Sequence, residues 1–534
     1  MRITSILLVI CLLGVVSVYA GPPTQSGQTI LHQDDFAQGS DPWTPFTEGT
    51  STLTLYTDGA ALVGTFDTAL QSAAGILRPL LDVDGTPQGV SLTLQAEGRP
   101  FALSLGVLEA DNSWYNTSIF INPADGPRRI DIDFDWLRLG QDTEDENDQL
   151  DLDQVIFFTV VDASGFIGPM GAGSVRLSEV AFWQGTAPAP DITCSAQTAT
   201  TNDFLVGVDA SYIPQGEKVG ATWLDGDTPI ADPVVYLADR GVEALRLRVW
   251  VGDAALDEAL ALAQRAADAG IAVYPVLFLS EDWSDVTKQP APAAWVALSI
   301  PERAEAIRAY TQATVGDLLA TGIAPPYYEI GNEIDFGIAG VFAETGQRDL
   351  ITLQNTIWPD QALLIQAAIE GVRAADPDAK IMLHIAQSWN PQFAAAFFGA
   401  MRQHNVQYDI AGLSFYAPAQ GVLAFDGFCR TLDWLHAEFQ TPAVIAEWAY
   451  SNSSTRPTEL FSDWRNVVPG YPATSAGQAD FVAHFLRDMR DHPAVIGAYY
   501  FSPTFYWASD VWQTFALFGP DGRALPAWDE FDLP

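Results

Sequence analysis

The sequence predicts a chain of two folded parts: an all-β sandwich of jelly-roll type, then an α/β barrel of eight strand-helix repeats. Over residues 28–184, apolar and polar side chains alternate in short runs set off by Gly, Pro, Asn and Asp, the period of half-buried strands. From Phe204 onward, short apolar runs alternate with longer segments of helical period. Between the two, Gly185 to Asn202 is polar, aperiodic and carries Ala187-Pro188-Ala189-Pro190, the composition of a linker. The expected division is a signal peptide at 1–20, the sandwich at 28–184, the linker at 185–202 and the barrel at 203–534.

The amino terminus is expected to be removed. Arg2 supplies a minimal positive start, Ile6 to Val16 is an apolar run of eleven, and Val18-Tyr19-Ala20 offers small residues for cleavage. That run is too short to span a bilayer and no apolar stretch of about 18 residues follows, so a secreted protein with no membrane partner is expected. With 67 acidic against 25 basic residues, the net charge of −42 repels phosphates, which argues against nucleic acid and anionic lipid as partners. An aromatic content of 11% fits neutral ligands with flat C–H faces, of which sugars are the plainest case.

In the first part, alternation is clearest in Thr52 to Tyr56, Val90 to Leu94 and Ile130 to Trp136, the last with apolar residues on one face and carboxylates on the other. The opening His32-Gln33-Asp34-Asp35-Phe36 resembles the start of carbohydrate-binding jelly rolls attached to secreted glycosidases. Asp142 to Asp153 holds seven carboxylates and no base. A solvated loop is expected there, with one structural calcium as the alternative.

In the second part, strands are expected to end near Asp209, Trp250, Leu279, Glu333, Ile385, Tyr416, Glu447 and Ser502. Helices fall between them, including Asp257 to Ala269, Pro301 to Leu319 and Gln361 to Ala375. Ser299-x-x-Glu302 and Ser475-x-x-Gln478 read as capping boxes, and Gly270 stands where a left-handed helix cap is wanted. Cys11 leaves with the signal, so Cys194 and Cys429 remain. With one in the linker and one on a helix, two unpaired thiols are expected and a disulfide is the alternative.

Function in such a barrel sits at the C-terminal strand ends. Tyr328-Glu329-Ile330-Gly331-Asn332-Glu333 closes the fourth expected strand and Ala443-Val444-Ile445-Ala446-Glu447-Trp448 the seventh, so Glu333 and Glu447 face each other across the mouth. A pair of carboxyls about 5 to 5.5 Å apart, one protonated and one ionised, is the equipment of a retaining glycosidase. Asn332 is suited to bond a sugar 2-hydroxyl. None of the six histidines has zinc-site spacing, and neither an esterase nor a P-loop motif occurs, so no metal and no required cofactor is expected.

Seven stretches carry a resemblance to a known family: Gly207 to Ser211; Leu245 to Trp250; Ser280 to Asp285 with Lys288-Gln289 and Pro292 to Trp295; Ile330 to Ile334; Ile381 to His384; Asp409 to Tyr416; and Val444 to Glu447. In that order they resemble glycoside hydrolase family 53 of clan A, the endo-β-1,4-galactanases. The resemblance implies Glu333 as acid/base, Glu447 as nucleophile, and Arg248, Asn332, His384 and Tyr416 around the cleaved sugar. Asp209, Asp282, Trp283, Trp295 and Trp448 join them as candidate substrate-binding residues, and the tryptophans as stacking platforms. The pattern departs from the family at Phe278, Phe501-Ser502, Ala417, Asp335 and Phe336. The expected partner is a galactan-like polysaccharide and the expected state a monomer. The alternatives are another clan A endo-glycosidase and a catalytically silent carbohydrate-binding protein.

Overall fold

The computed structural model describes residues 27–140, 143–145, 147, 149–194, 204–455, 464, 466–508 and 511–532. The expected signal peptide and the 195–202 part of the expected linker lie outside the described residues. The chain divides into two compact units, Met1–Pro190 and Asp191–Pro534. Among the described residues no helix is long and apolar enough to cross a membrane.

The first unit is all-β, two six-stranded sheets of antiparallel strands. Their inner faces meet through aromatic pairs, Phe66 on Phe101 and Phe158 on Phe182, each with ring centroids 5.8 Å apart. The expected strand from Ile130 to Trp136 is shorter. Arg128–Asp133 is the strand and Phe134–Trp136 a 3-10 turn, because the Asp133 carboxylate accepts the Asp135 amide and caps the turn.

The second unit is a closed barrel of eight parallel strands: Leu205–Asp209, Ala244–Val249, Ala272–Leu277, Tyr328–Ile330, Ile381–Ile385, Ile410–Ser414, Ala443–Trp448 and Val495–Phe501. They are numbered one to eight below. Helices Asp253–Asp268, Ile300–Ala320 and Trp358–Ala375 cover the expected helical segments. The Ser299–Glu302 capping box forms, and Gly270 adopts φ +82° after its helix. The second expected box does not. Thr474 caps the helix Ser475–Asp491, and the Gln478 amide turns inward to the Tyr450 carbonyl and Tyr500 hydroxyl, where buried acceptors compete for it.

Alternation within each strand decides what the barrel holds. Ala244, Tyr274, Val276, Met382, Ile410, Val444 and Tyr499 belong to one buried interior cluster. Strand seven breaks the period. Its pairing shifts register between Ile445 and Trp448, so Glu447 turns inward although its neighbour Ala446 is already in that cluster.

The two thiols are not free. Cys194 and Cys429 form a disulfide, contrary to the expectation of unpaired cysteines, with Cα atoms 4.8 Å apart. Position in the sequence gave no sign of this. The segment bearing Cys194 belongs to the second unit, where the Cys194 amide donates to Asp488.

Candidate active site

Two arginines from strand two organise the C-terminal end of the barrel. Arg246 and Arg248 lie two residues apart, so both point inward, and both are buried. Arg246 donates to Glu329 through Nε and Nη2 at 3.0 and 2.6 Å. Through Nη1 it bonds Asp209 at 2.9 Å and Glu447 at 2.6 Å, and through Nη2 the Asn332 side-chain oxygen at 2.7 Å. Arg248 reaches the same Glu447 oxygen at 3.1 Å and Asp209 at 3.1 Å. Its guanidinium carbon lies 4.6 Å from the ring centroids of both Trp283 and Phe501. Its Nε and Nη1 are buried without a partner among the described residues, which leaves two donors for a ligand.

Their surroundings shift the Glu447 and Glu333 carboxyls in opposite directions. Burial pushes the Glu447 carboxyl up, but Arg246, Arg248 and His384, with the hydroxyl of Tyr416 at 2.7 Å, hold it below the usual carboxylate value. Glu333 has no such cations. Burial, then the charges of Glu447 and Asp285, push its carboxyl well above the usual range, against one 2.7 Å hydrogen bond from Ser414. An acid kept neutral near an ionised carboxylate can donate a proton while its partner attacks.

The turn carrying Glu333 is held in place by buried side chains. Strand four ends at Ile330, three residues earlier than Glu333, and Glu333 itself sits in the left-handed region at φ +45°, ψ +59°. Gly331 precedes it at φ +72°, where a Cβ would lie 2.5 Å from Ile334. Gln289 donates to the carbonyls of Asn332 and Glu333, Gln361 to that of Ile334 and Trp358 to that of Asp335. The Asp335 carboxylate accepts the amides of Ala386 and Gln387, tying the turn to the loop after strand five.

The expected site residues do not all gather. Asp209, Arg248, Asn332, Glu333, His384, Tyr416 and Glu447 are joined by the contacts above, and half-buried Trp283 covers Arg248. Three others stand apart. Trp448 follows Glu447 and therefore points out of the barrel, buried on Phe485 and Tyr500 with centroids at 4.5 and 4.9 Å, so it has no face for a sugar. Trp295 is buried edge-on to Tyr310 of the helix Ile300–Ala320. The exposed Asp282 pairs with Lys288 at 2.8 Å and touches none of the cluster's side chains in these contacts.

Arg246, Glu329, Ser414, Gln289 and Gln361 were not among the expected site residues. Their signal was present: a strand buried on both faces reads as a continuous apolar run, so Arg246 and Glu329 are anomalies in theirs. Trp464 and Trp512, half-buried against the Tyr416 ring at 4.9 and 5.7 Å, also went unnoticed. In the acidic stretch of the first unit, Asp142, Glu146 and Asp148 lie outside the described residues. Asp145 accepts the amides of Asn147 and Gln149, and among the described residues no group of three or more His, Cys, Asp or Glu could hold a metal.

Comparison with known proteins bears on this geometry. The family model described as Glycosyl hydrolase family 53 matches residues 205–531. An arabinogalactan endo-beta-1,4-galactanase of Humicola insolens is 26% identical over 339 residues, 61% of this chain and 98% of its own length. One from Cellvibrio japonicus is 25% identical over 354 residues, covering 62% of this chain and 91% of its own. The solved Ignisphaera aggregans GH53 catalytic domain superposes with a TM-score of 0.54 at 26% identity, over 63% of this chain and 98% of that one.

Proposed function

This chain belongs to glycosyl hydrolase family 53, and from that premise we propose that it is an exported, retaining endo-glycosidase that cuts internal β-1,4-galactosidic bonds of galactan by double displacement. The observation that carries the mechanism is the contrast between the two carboxyls, Glu447 held low beside two arginines and Glu333 pushed up by burial and by the Glu447 charge. In the first step Glu447 bonds to the anomeric carbon as Glu333 passes its proton to the departing glycosidic oxygen. In the second, Glu333 takes a proton from water, which attacks the same carbon and frees Glu447. Asn332, held by Arg246 and Ser284, offers its remaining amide hydrogen to the sugar 2-hydroxyl. The unpartnered nitrogens of Arg248 offer two more donors.

The galactan assignment draws on the activity of the relatives, arabinogalactan endo-beta-1,4-galactanases at 25 to 26% identity. The amino-terminal unit is proposed to bind polysaccharide, and the apolar run Ile6 to Val16 to direct export of a monomeric enzyme. The test is release of reducing ends from β-1,4-galactan, arabinan, mannan and xylan, with Glu333→Gln and Glu447→Gln as controls. Galactan is expected to be cut, with the first product carrying the β anomer by NMR. Cutting that persists in both variants, or a first product of α configuration, overturns the mechanism.

A further inference from the structure

Behind Glu333 runs a line of buried hydrogen bonds across three adjacent strands. Ser414 on strand six bonds Glu333 Oε1 at 2.7 Å. His384 Nε2 on strand five bonds the Ser414 hydroxyl at 2.8 Å, and His384 Nδ1 bonds Glu329 on strand four at 2.9 Å. Glu329, His384 and Ser414 are all buried, and Gly412 lets its strand approach that of His384, since a Cβ there would lie 3.0 Å from the His384 Cβ. The groups facing His384 are Glu329, Arg246 with Nη2 at 3.4 Å, Ser414, and at longer range Asp335 and Glu447.

Proton counting restricts this line to two arrangements. Glu329 is held as a carboxylate by Arg246 and His384, so it only accepts, and Nδ1 carries hydrogen. If Nε2 also carries hydrogen, it donates to Ser414, Ser414 donates to Glu333 Oε1, and the acid proton rides on Oε2. If Nε2 is bare, it accepts from Ser414, which accepts from a proton on Oε1, and the acid proton is turned into the protein. Ser414 Oγ donates to Glu333 Oε1 at 2.7 Å, which is the direction of the first arrangement.

Resting on the proposed function above, we propose that Glu329, His384 and Ser414 are positioning residues that direct the acid proton of Glu333 to Oε2, the oxygen left for the substrate. In the first step the Oε2–H bond breaks, its proton goes to the glycosidic oxygen, and that oxygen keeps the electron pair of the broken bond to the anomeric carbon, which Glu447 takes over. The Ser414 hydrogen bond then stabilises the charge left on Glu333. No further reactant is needed.

The test compares two substrates under kcat/KM conditions, which report the first step alone: β-1,4-galactan, and a 2,4-dinitrophenyl β-galactobioside whose leaving group departs without protonation. Ser414→Ala is expected to lose about tenfold or more on galactan and to stay within about threefold on the aryl glycoside. Its alkaline limb on galactan should move up by about one pH unit, because the hydroxyl that favoured the Glu333 carboxylate is gone. Ser414→Thr keeps a hydroxyl and is expected to restore both readings. Equal losses on both substrates with an unmoved limb, or no loss on galactan, overturn the proposal. Wild type that cuts neither substrate, or Glu447→Gln that cuts both, overturns the underlying function instead.

Discussion

Arg246 and Glu447, separated by 201 positions in sequence, meet at 2.6 Å. Through Asp209, Glu329 and Asn332, the same guanidinium ties strand two to strand one, to strand four and to the turn that follows strand four. One buried cation thus fixes where the ionised carboxylate sits and adds to the field that keeps it ionised. It also supports the contrast with Glu333, where a further charge would meet Glu447 and Asp285 without a cation of its own.

Tyr416→Phe removes the hydroxyl that bonds Glu447 at 2.7 Å. That bond favours the ionised form, so without it the Glu447 carboxyl rises and the acid limb of the pH–rate profile should move to higher pH. A hydrogen bond to a charged group is worth about 2 kcal/mol, so kcat/KM on galactan should fall roughly thirtyfold. A profile with an unmoved acid limb would refute the assigned role.

Glu329 and Asp335 should give pH–stability effects of opposite sign. Against burial, Arg246 and His384 lower Glu329 from 4.5 to about 2. Its stabilisation, on the order of 3 kcal/mol, is present above pH 4.5 and lost as pH falls through about 2. Burial raises Asp335 from 3.8 to about 6, so its contribution is full below 3.8 and lost as pH rises through about 6. In thermal melts, the deficit of Glu329→Gln relative to wild type should be largest near pH 6 and narrow towards pH 2. The deficit of Asp335→Asn should shrink as pH rises from 4 to 7.

Loss of the Cys194–Cys429 bond should weaken the second unit. The bond joins positions 235 residues apart, and closing so long a loop restricts the unfolded chain by about 5 kcal/mol. A Cys194→Ser, Cys429→Ser double variant should melt several degrees lower, with kcat/KM on galactan within about twofold of wild type, since neither sulfur is near Glu447 or Glu333 in the contacts that build the site.

The two tryptophans should separate cleanly. Trp283→Ala uncovers Arg248 at the site and should raise KM for galactan about tenfold. Trp448→Phe disturbs packing on Phe485 and Tyr500 and should lower the melting temperature with KM unchanged. A raised KM in Trp448→Phe would show that the ring reaches substrate after all.

Local signals in the sequence determined much of this protein. Period-two alternation set the sandwich strands, eight apolar runs separated by helical segments set the barrel, and two glutamates at the ends of runs four and seven marked the candidate pair. These are properties of neighbouring residues, and backbone periodicity turns them directly into buried and exposed faces. Tertiary structure decided the rest. A bulge in strand seven, and not simple alternation, aims Glu447 inward and leaves Trp448 outside. Arg246 gains its role from partners on strands one, four and seven, Gln289 and Gln361 from carbonyls of a turn far along the chain, and Cys194 from a helix that only folding brings near. Burial and opposite charge act through space, and no local pattern records which distant group will be close enough to supply them.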